Sequence, residues 1–379
     1  MAIELPSENF TDQGDIVPMS GVDSVWNYGA TYTLGGNDLI TGTYSYYDPD
    51  IGFIGFLNAN GAIDTGIGSD MIVGSGPILD DNWYGYNMYN ISGPYGIYNG
   101  GAIETSDGED VLVSYEDFYN SGTVSLGNGN DQLFAVLSLE TAAAENRSAL
   151  KNNGTIEAGD GNDYLSSIGT FYNPGMVSLG DGNDTLVATN IAEGANFNQV
   201  LLNNGNIESG NGDDFLISYG GFYNSGTVSL GNGNDSIKTQ GYYGNNTAGL
   251  GNSQTIETGE GDDIILSTGN LYNQGVINTG NGKDSLSAYG NFEGSSGYVF
   301  LGNGEDYLSG FGSGYYEGGN DQDTMALTSG SYTIGISGGV VSFIKNGYTM
   351  ATSGFEKLIA NGQTYDFISL TDQLEIDVY

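Results

Sequence analysis

The chain has no cysteine and no histidine, and only 6 of its 379 residues are lysine or arginine. The missing cysteine excludes disulfides, thiolate nucleophiles, iron–sulfur clusters and thiolate zinc sites. The missing histidine excludes an imidazole base, a serine–histidine pair and any histidine-ligated metal. Six scattered cations make no basic footprint, so neither nucleic acid nor an anionic membrane surface is an expected partner. No apolar run of 18 residues occurs, so no membrane-spanning helix is expected. The opening MAIELPSENFTDQGD shows neither a basic nor an apolar stretch, and no Sec-type signal peptide is read there.

What is present is acid, glycine and tyrosine. Asp and Glu number 47, the formal net charge is −41, and there are 65 Gly and 28 Tyr. Hydrophobic residues at 38% and aromatics at 12% are too many for a solvated acidic tail, which argues against global disorder. The length exceeds what a single compact core serves, so two domains or a repeat array are expected.

A repeat is found. NSGTVSLGNGND from Asn120, NNGTIEAGDGND from Asn152, NPGMVSLGDGND from Asn173, NNGNIESGNGDD from Asn203, NSGTVSLGNGND from Asn224 and NQGVINTGNGKD from Asn273 are copies of one unit. Its terminal aspartate falls at 110, 131, 163, 184, 214, 235, 263, 284 and 306. Successive gaps are 21, 32, 21, 30, 21, 28, 21 and 22 residues, so a 21-residue turn of chain mostly alternates with a longer one. Looser copies place Asp38 in LGGND and Asp70 in GIGSD, and a degenerate copy, GGNDQDTM, spans 318–325.

Each unit reads as two short strands and two turns. Leu133, Leu165, Leu186, Leu216, Ile237, Ile265, Leu286 and Leu308 share one phase, with a small residue two positions on. The other strand carries Ile103, Val124, Ile156, Val177, Ile207, Val228, Ile256, Ile277 and Val299 in one register. Period-two alternation turns both sets inward. Strands this short cannot bury a face alone, but stacked coils share a core. The expected fold is all-β: a right-handed parallel β-helix or β-roll solenoid of ~21-residue coils, flattened, with neighbouring strands ~4.8 Å apart. Asn99, Asn120, Asn152, Asn173, Asn203, Asn224, Asn252 and Asn273 hold one position in eight consecutive coils, which predicts an amide ladder.

Insertions at 137–151, 189–202 and 240–251 come after the leucine strand of every second coil and are expected on one side. Glu104, Glu157, Glu208 and Glu257 alternate with Ser125, Ser178, Ser229 and Asn278, and Tyr119, Tyr172, Tyr223 and Tyr272 also recur every second coil. From Ser331 the pattern turns to hairpins. The expected division is an N-terminal cap or assembly segment at 1–30, a solenoid at 31–325 and a C-terminal β cap at 326–379.

In parallel coils each turn aspartate lies above the next. Carboxylates ~5 Å apart repel by about 3 kcal/mol at an effective dielectric near 20. Calcium is the fitting counter-ion, because it takes six to eight oxygens and accepts backbone carbonyls beside carboxylates. Magnesium is the stricter alternative, and a metal-free Gly/Asn/Asp bend is the plain one.

The turns GNGND, GDGND and GNGDD, each followed by x-Leu/Ile, resemble the RTX calcium-binding repeat over roughly residues 35–325. The resemblance implies calcium between adjacent turns, held by the aspartate and by turn carbonyls. It selects Asp110, and Asp131 with Gly127, Asn128 and Gly129. It selects Asp163 with Gly159, Asp160 and Gly161, and Asp184 with Gly180, Asp181 and Gly182. It selects Asp214 with Gly210, Asn211 and Gly212, and Asp235 with Gly231, Asn232 and Gly233. It selects Asp263 with Gly259, Glu260 and Gly261, Asp284 with Gly280, Asn281 and Gly282, and Asp306 with Gly302, Asn303 and Gly304. Family repeats recur every nine residues, whereas here one such turn occurs per coil, so one calcium row is implied. Leu126, Leu179 and Leu230 replace the family's first glycine, and Lys283 is expected to weaken its site. RTX proteins are typically exported by a type I system through an uncleaved C-terminal signal, and the acidic–apolar end LEIDVY is compatible with that.

Two classes of function remain. The first is a non-enzymatic, secreted calcium-binding protein that self-associates into a surface layer, sheath or filament. It resembles RTX-type cell-surface proteins of cyanobacteria in SYTIGISGGVVSF and GFEKLIANGQTYDF. The second is a polysaccharide-active enzyme, or an adhesin binding neutral glycan through tyrosines. For the enzyme, Glu157 and Glu208 have no unique partner, and Arg147 with Lys151 is the sole cationic spot, read as a loop salt bridge.

Overall fold

The computed structural model describes residues 3–5, 13, 15–17, 25–27, 30–33, 35–43, 47–48, 52–58, 61–75, 94–137, 148–189, 200–240, 248–290 and 296–379. These form two compact units, Met1–Asn206 and Ile207–Tyr379. Both are parallel β-helices.

Most coils give one strand to each of three sheets, not to two as the sequence suggested, and the last, from Tyr307–Ser309 to Gly314–Asn320, gives none to the sheet that ends at Asn270–Asn273. In the first unit one coil runs from Gln132–Val136 to Ser148–Asn152, then Thr155–Asp160, and closes at Asp163. We call the sheets these strands join the leucine, asparagine and turn sheets. The segment that ends at each ladder asparagine, as Asp117–Asn120 does, is the asparagine-sheet strand. Phe118, Leu150, Phe171 and Leu201 point inward from it with 0% exposure. A third wall of large apolar residues makes the core wider than two facing strands would enclose.

Registers match the sequence phase. Leu112 pairs with Leu133, Leu133 with Leu165 and Leu165 with Leu186. On the turn sheet Ile103 pairs with Val124, Val124 with Ile156 and Ile156 with Val177. Each three-stranded coil thus buries at least one apolar side chain per sheet, at about 1.5–3 kcal/mol each.

The asparagine ladder is present and begins earlier than the sequence showed. Asn27 Nδ2 donates to Asn58 Oδ1 at 3.0 Å, and Asn58 to Asn99 at 2.8 Å. The chain of amides then runs through Asn120, Asn152 and Asn173 to Asn203. Each amide does more than bond its neighbour. Asn120 Nδ2 also donates to the Thr155 carbonyl at 2.9 Å, which ties the asparagine sheet to the turn sheet.

The insertions leave after the leucine-sheet strand, as at Val136, and re-enter in the asparagine sheet, as at Ser148. Their centres, 138–147, 190–199 and 241–247, lie outside the described residues, as does Arg147. Lys151 is described. Its Nζ lies 5.5 Å from the centre of the Tyr119 ring and 5.9 Å from that of Tyr172, a cation–π contact, while the expected loop salt bridge falls on residues outside those described.

The second unit repeats the design. Leu216, Ile237, Ile265, Leu286 and Leu308 stack in register, as do Val228, Ile256, Ile277 and Val299. Asn224, Asn252 and Asn273 form its amide ladder. From Gly330 the pairing turns antiparallel. Gly330–Ser337, Val340–Lys345 and Tyr348–Ser353 form a meander whose last strand lies parallel to Gly314–Asn320. Its buried side chains, Tyr332, Ile334, Phe343 and Met350, fill the end of the core. Among the described residues no helix is long and apolar enough to cross a membrane.

Candidate metal centre

The turn that closes each coil is shaped by two glycines. Gly127 has φ 103° and Gly161 φ 144°. A Cβ on Gly161 would stand 1.5 Å from the Gly129 carbonyl oxygen, so no larger residue fits. The carbonyls of successive turn glycines therefore point along the stack toward the next coil.

The aspartate after each turn points inward. Asp110, Asp131, Asp163 and Asp184 in the first unit are 0–3% exposed, and so are Asp214, Asp235, Asp263, Asp284 and Asp306 in the second. Within each unit, one carboxylate oxygen accepts the backbone amide of the preceding aspartate in the column. Asp131 Oδ1 takes the amide of Asp110 at 2.7 Å, Asp163 that of Asp131 at 2.7 Å, and Asp184 that of Asp163 at 2.8 Å. In the second unit the same bonds link Asp214, Asp235, Asp263, Asp284 and Asp306 at 2.8–2.9 Å.

The columns are longer than the sites named from the sequence. Asp38 and Asp70 extend the first. Asp323 accepts the Asp306 amide at 2.9 Å, and Glu356 accepts that of Asp323 at 2.8 Å, ending the second. Asp323 was obscured because Asp321, at φ 83°, stands where the other turns have their second glycine. Register with Leu308–Met325 is the signal that finds it.

The second oxygen of most of these carboxylates is buried with no hydrogen-bond partner. This holds for Oδ2 of Asp38, Asp70, Asp110, Asp131 and Asp163, and for Asp235, Asp263, Asp284, Asp306 and Asp323. A buried polar atom left unpaired costs about 1–3 kcal/mol, and more when charged. Burial pushes the carboxyls of Asp110, Asp131, Asp235 and Asp323 up to about 7, against the opposing pull of the backbone amides. It pushes Asp163, Asp263 and Asp306 up to about 6. Without a counter-ion, the columns take up protons near neutrality.

The middle residues of the turns sit differently. Asn128, Asp160, Asp181, Asn211, Asn232, Glu260 and Asn303 are exposed, and Asn281 is half-buried. Some of these side chains pair from coil to coil, as where Asn128 Nδ2 donates to Asp107 at 2.6 Å and Asn281 Nδ2 to Glu260 at 2.5 Å. The carbonyls of Asn128, Asp160, Asp181, Asn232, Glu260, Asn281 and Asn303 accept glycine amides from the neighbouring turn. Each such oxygen has one lone pair committed to holding the stack. Gly129 and Gly304 lie nearer the acid: their Cβ positions stand 3.1 Å from Asp131 Oδ1 and 3.4 Å from Asp306 Oδ1. Lys283 is exposed, outside the column, and its backbone amide is held by Asp262.

Among the described residues no three carboxylates converge on one point. A cation in this column must therefore combine carboxylate with carbonyl oxygens. That all-oxygen set suits a hard divalent ion, and the unpartnered Oδ2 atoms are what such an ion would satisfy.

No protein-family profile matches the chain, and no curated protein sequence matches it. Among solved structures it is similar to the X-ray crystal structure of a hyperactive, Ca2+-dependent, β-helical antifreeze protein from an Antarctic bacterium. The identity is 19%, over 84% of this chain and 78% of that one, with a TM-score of 0.39.

Proposed function

We propose that this chain is a secreted, non-enzymatic calcium-binding β-helix of the RTX type that self-associates into an extracellular layer, sheath or filament. The observation that carries the metal reading is the row of buried carboxylate oxygens with no partner, repeated from coil to coil. The Asp131 and Asp163 carboxylates, with the carbonyls of Gly129 and Gly161, are one set that would hold an ion. Equivalent sets repeat along each unit. Calcium, when bound, supplies the positive charge that lets stacked carboxylates stay ionised.

The same electrostatics suggest a compartment. Calcium is scarce inside cells and millimolar outside, and an ion that binds only the folded state stabilises it by mass action. Folding after export, through a type I system, accords with that. Homotypic assembly fits a solenoid that repeats its surface every one or two coils, and surface polysaccharide is a further candidate partner. A glycan-binding adhesin is the second reading. It is favoured by an aromatic platform where the Tyr98 and Tyr119 rings stack at 4.9 Å and Tyr95 lies 5.9 Å from Tyr119.

The test is sedimentation and electron microscopy of the purified chain in millimolar calcium and in excess EGTA. Ordered polymers that dissolve on chelation are expected. A protein that stays monomeric in calcium at all concentrations contradicts the assembly reading.

A further inference from the structure

We propose that two copies of this chain dock face to face through the outer surface of the leucine sheet, an inference that rests on the self-association reading above. In the first unit the sheet's strands are Ile16–Val17, Leu39–Thr43, Met71–Ser75, Val111–Tyr115, Gln132–Val136, Tyr164–Ile168 and Thr185–Thr189. None of them contains an acidic or basic residue. In the second unit, Phe215–Tyr219 through Thr324–Ala326 contain no acid and one lysine, Lys238, and only the last two strands, Lys357–Ala360 and Gln363–Asp366, bring in Lys357 and Asp366, which pair with each other. The turn sheet differs: its outer face carries Glu104 and Glu157.

In a chain with a net charge of −41, two copies repel wherever carboxylates face each other. Up to its last two strands, the leucine sheet is a broad face where they do not. It is also where large apolar side chains reach solvent. Met71 is 40% exposed, Tyr115 52% and Tyr164 36%, and in the second unit Phe215 is 38% and Ile264 42% exposed. Strands spaced ~4.8 Å apart, five residues long at ~3.3 Å each, give the first unit a face of about 500 Å². Two such faces bury about 1,000 Å² together, the lower bound for a specific interface. A second copy matches the surface by symmetry, because a two-fold contact places the same uncharged patch on both sides.

The experiment compares the full chain in calcium with Tyr164→Glu and Tyr115→Glu, and with Thr155→Glu on the turn sheet as the charge control. Sedimentation velocity over a concentration series reads association, and circular dichroism confirms folding of each variant. The two leucine-sheet variants should raise the concentration of half-association at least tenfold, while the control leaves it unchanged. A wild type that associates while all three variants associate equally overturns this inference and leaves assembly intact. A wild type that is monomeric throughout overturns both. A monomeric wild type that pellets with insoluble cellulose or chitin, and loses this in Tyr164→Glu, also overturns it and assigns the face to neutral glycan.

Discussion

Asp131 holds the backbone amide of Asp110 with Oδ1 at 2.7 Å, while its Oδ2 is buried without a partner. The contact fixes one coil on the next and, in the same carboxylate, leaves an oxygen for something else. The relationship repeats along both units, so fold and ion binding depend on the same side chains.

Replacing that carboxylate separates the two roles. Asp131→Asn keeps an oxygen for the Asp110 amide but removes the charge. In EGTA the variant should be at least as stable as the wild type, because one buried like charge is gone. In calcium its melting temperature should fall below the wild type's, with a lower calcium content by elemental analysis. A variant with equal stability in calcium would remove Asp131 from the binding set.

Stability without metal should depend on pH in an unusual direction. Burial raises these carboxyls from near 3.8 to about 6 for Asp163, Asp263 and Asp306, and to about 7 for Asp110, Asp131, Asp235 and Asp323. Between about pH 4 and 7 the folded chain then holds more protons than the unfolded one. Stability must fall as pH rises through that window. In EGTA the thermal midpoint should be higher at pH 5 than at pH 8. In millimolar calcium the order should reverse, because protons and calcium compete for the same oxygens. Calorimetry at the two pH values checks both.

Much of this architecture was legible in the sequence. The inward leucines, the asparagine ladder and the aligned aspartates all derive from fixed spacing, since a coil that stacks must repeat its register. The third sheet was not legible. Its inner position varies among Phe118, Leu150, Phe171 and Leu201, and its Asn-x-Gly sequence looks like a bend because the chain does bend directly after the strand. Insertions interrupt its approach in every second coil. The column's end was hidden for a different reason: Glu356 lies 33 residues from Asp323 and belongs to no repeat.

Glycine replacement should discriminate between the turns. Gly161→Ala places a methyl 1.5 Å from the Gly129 carbonyl and should cost at least about 3 kcal/mol, seen as a lower urea midpoint. Gly347→Ala, at φ 82° with nothing within 4 Å, should cost only the backbone strain of about 1–2 kcal/mol.

The amide ladder should resist even conservative change. Asn120→Ala leaves the Asn99 amide and the Thr155 carbonyl each short of a bond and should cost about 2–3 kcal/mol. Asn120→Asp removes two donors and adds a buried charge, and should cost more. Urea denaturation of the two variants in calcium checks the order.

The most direct test is diffraction from calcium-grown crystals, with anomalous data collected where calcium scatters strongly. Peaks should lie beside the Oδ2 atoms of the buried aspartates, repeating at the coil spacing of ~4.8 Å along each unit. Aspartates with no anomalous peak beside them in millimolar calcium would contradict the account.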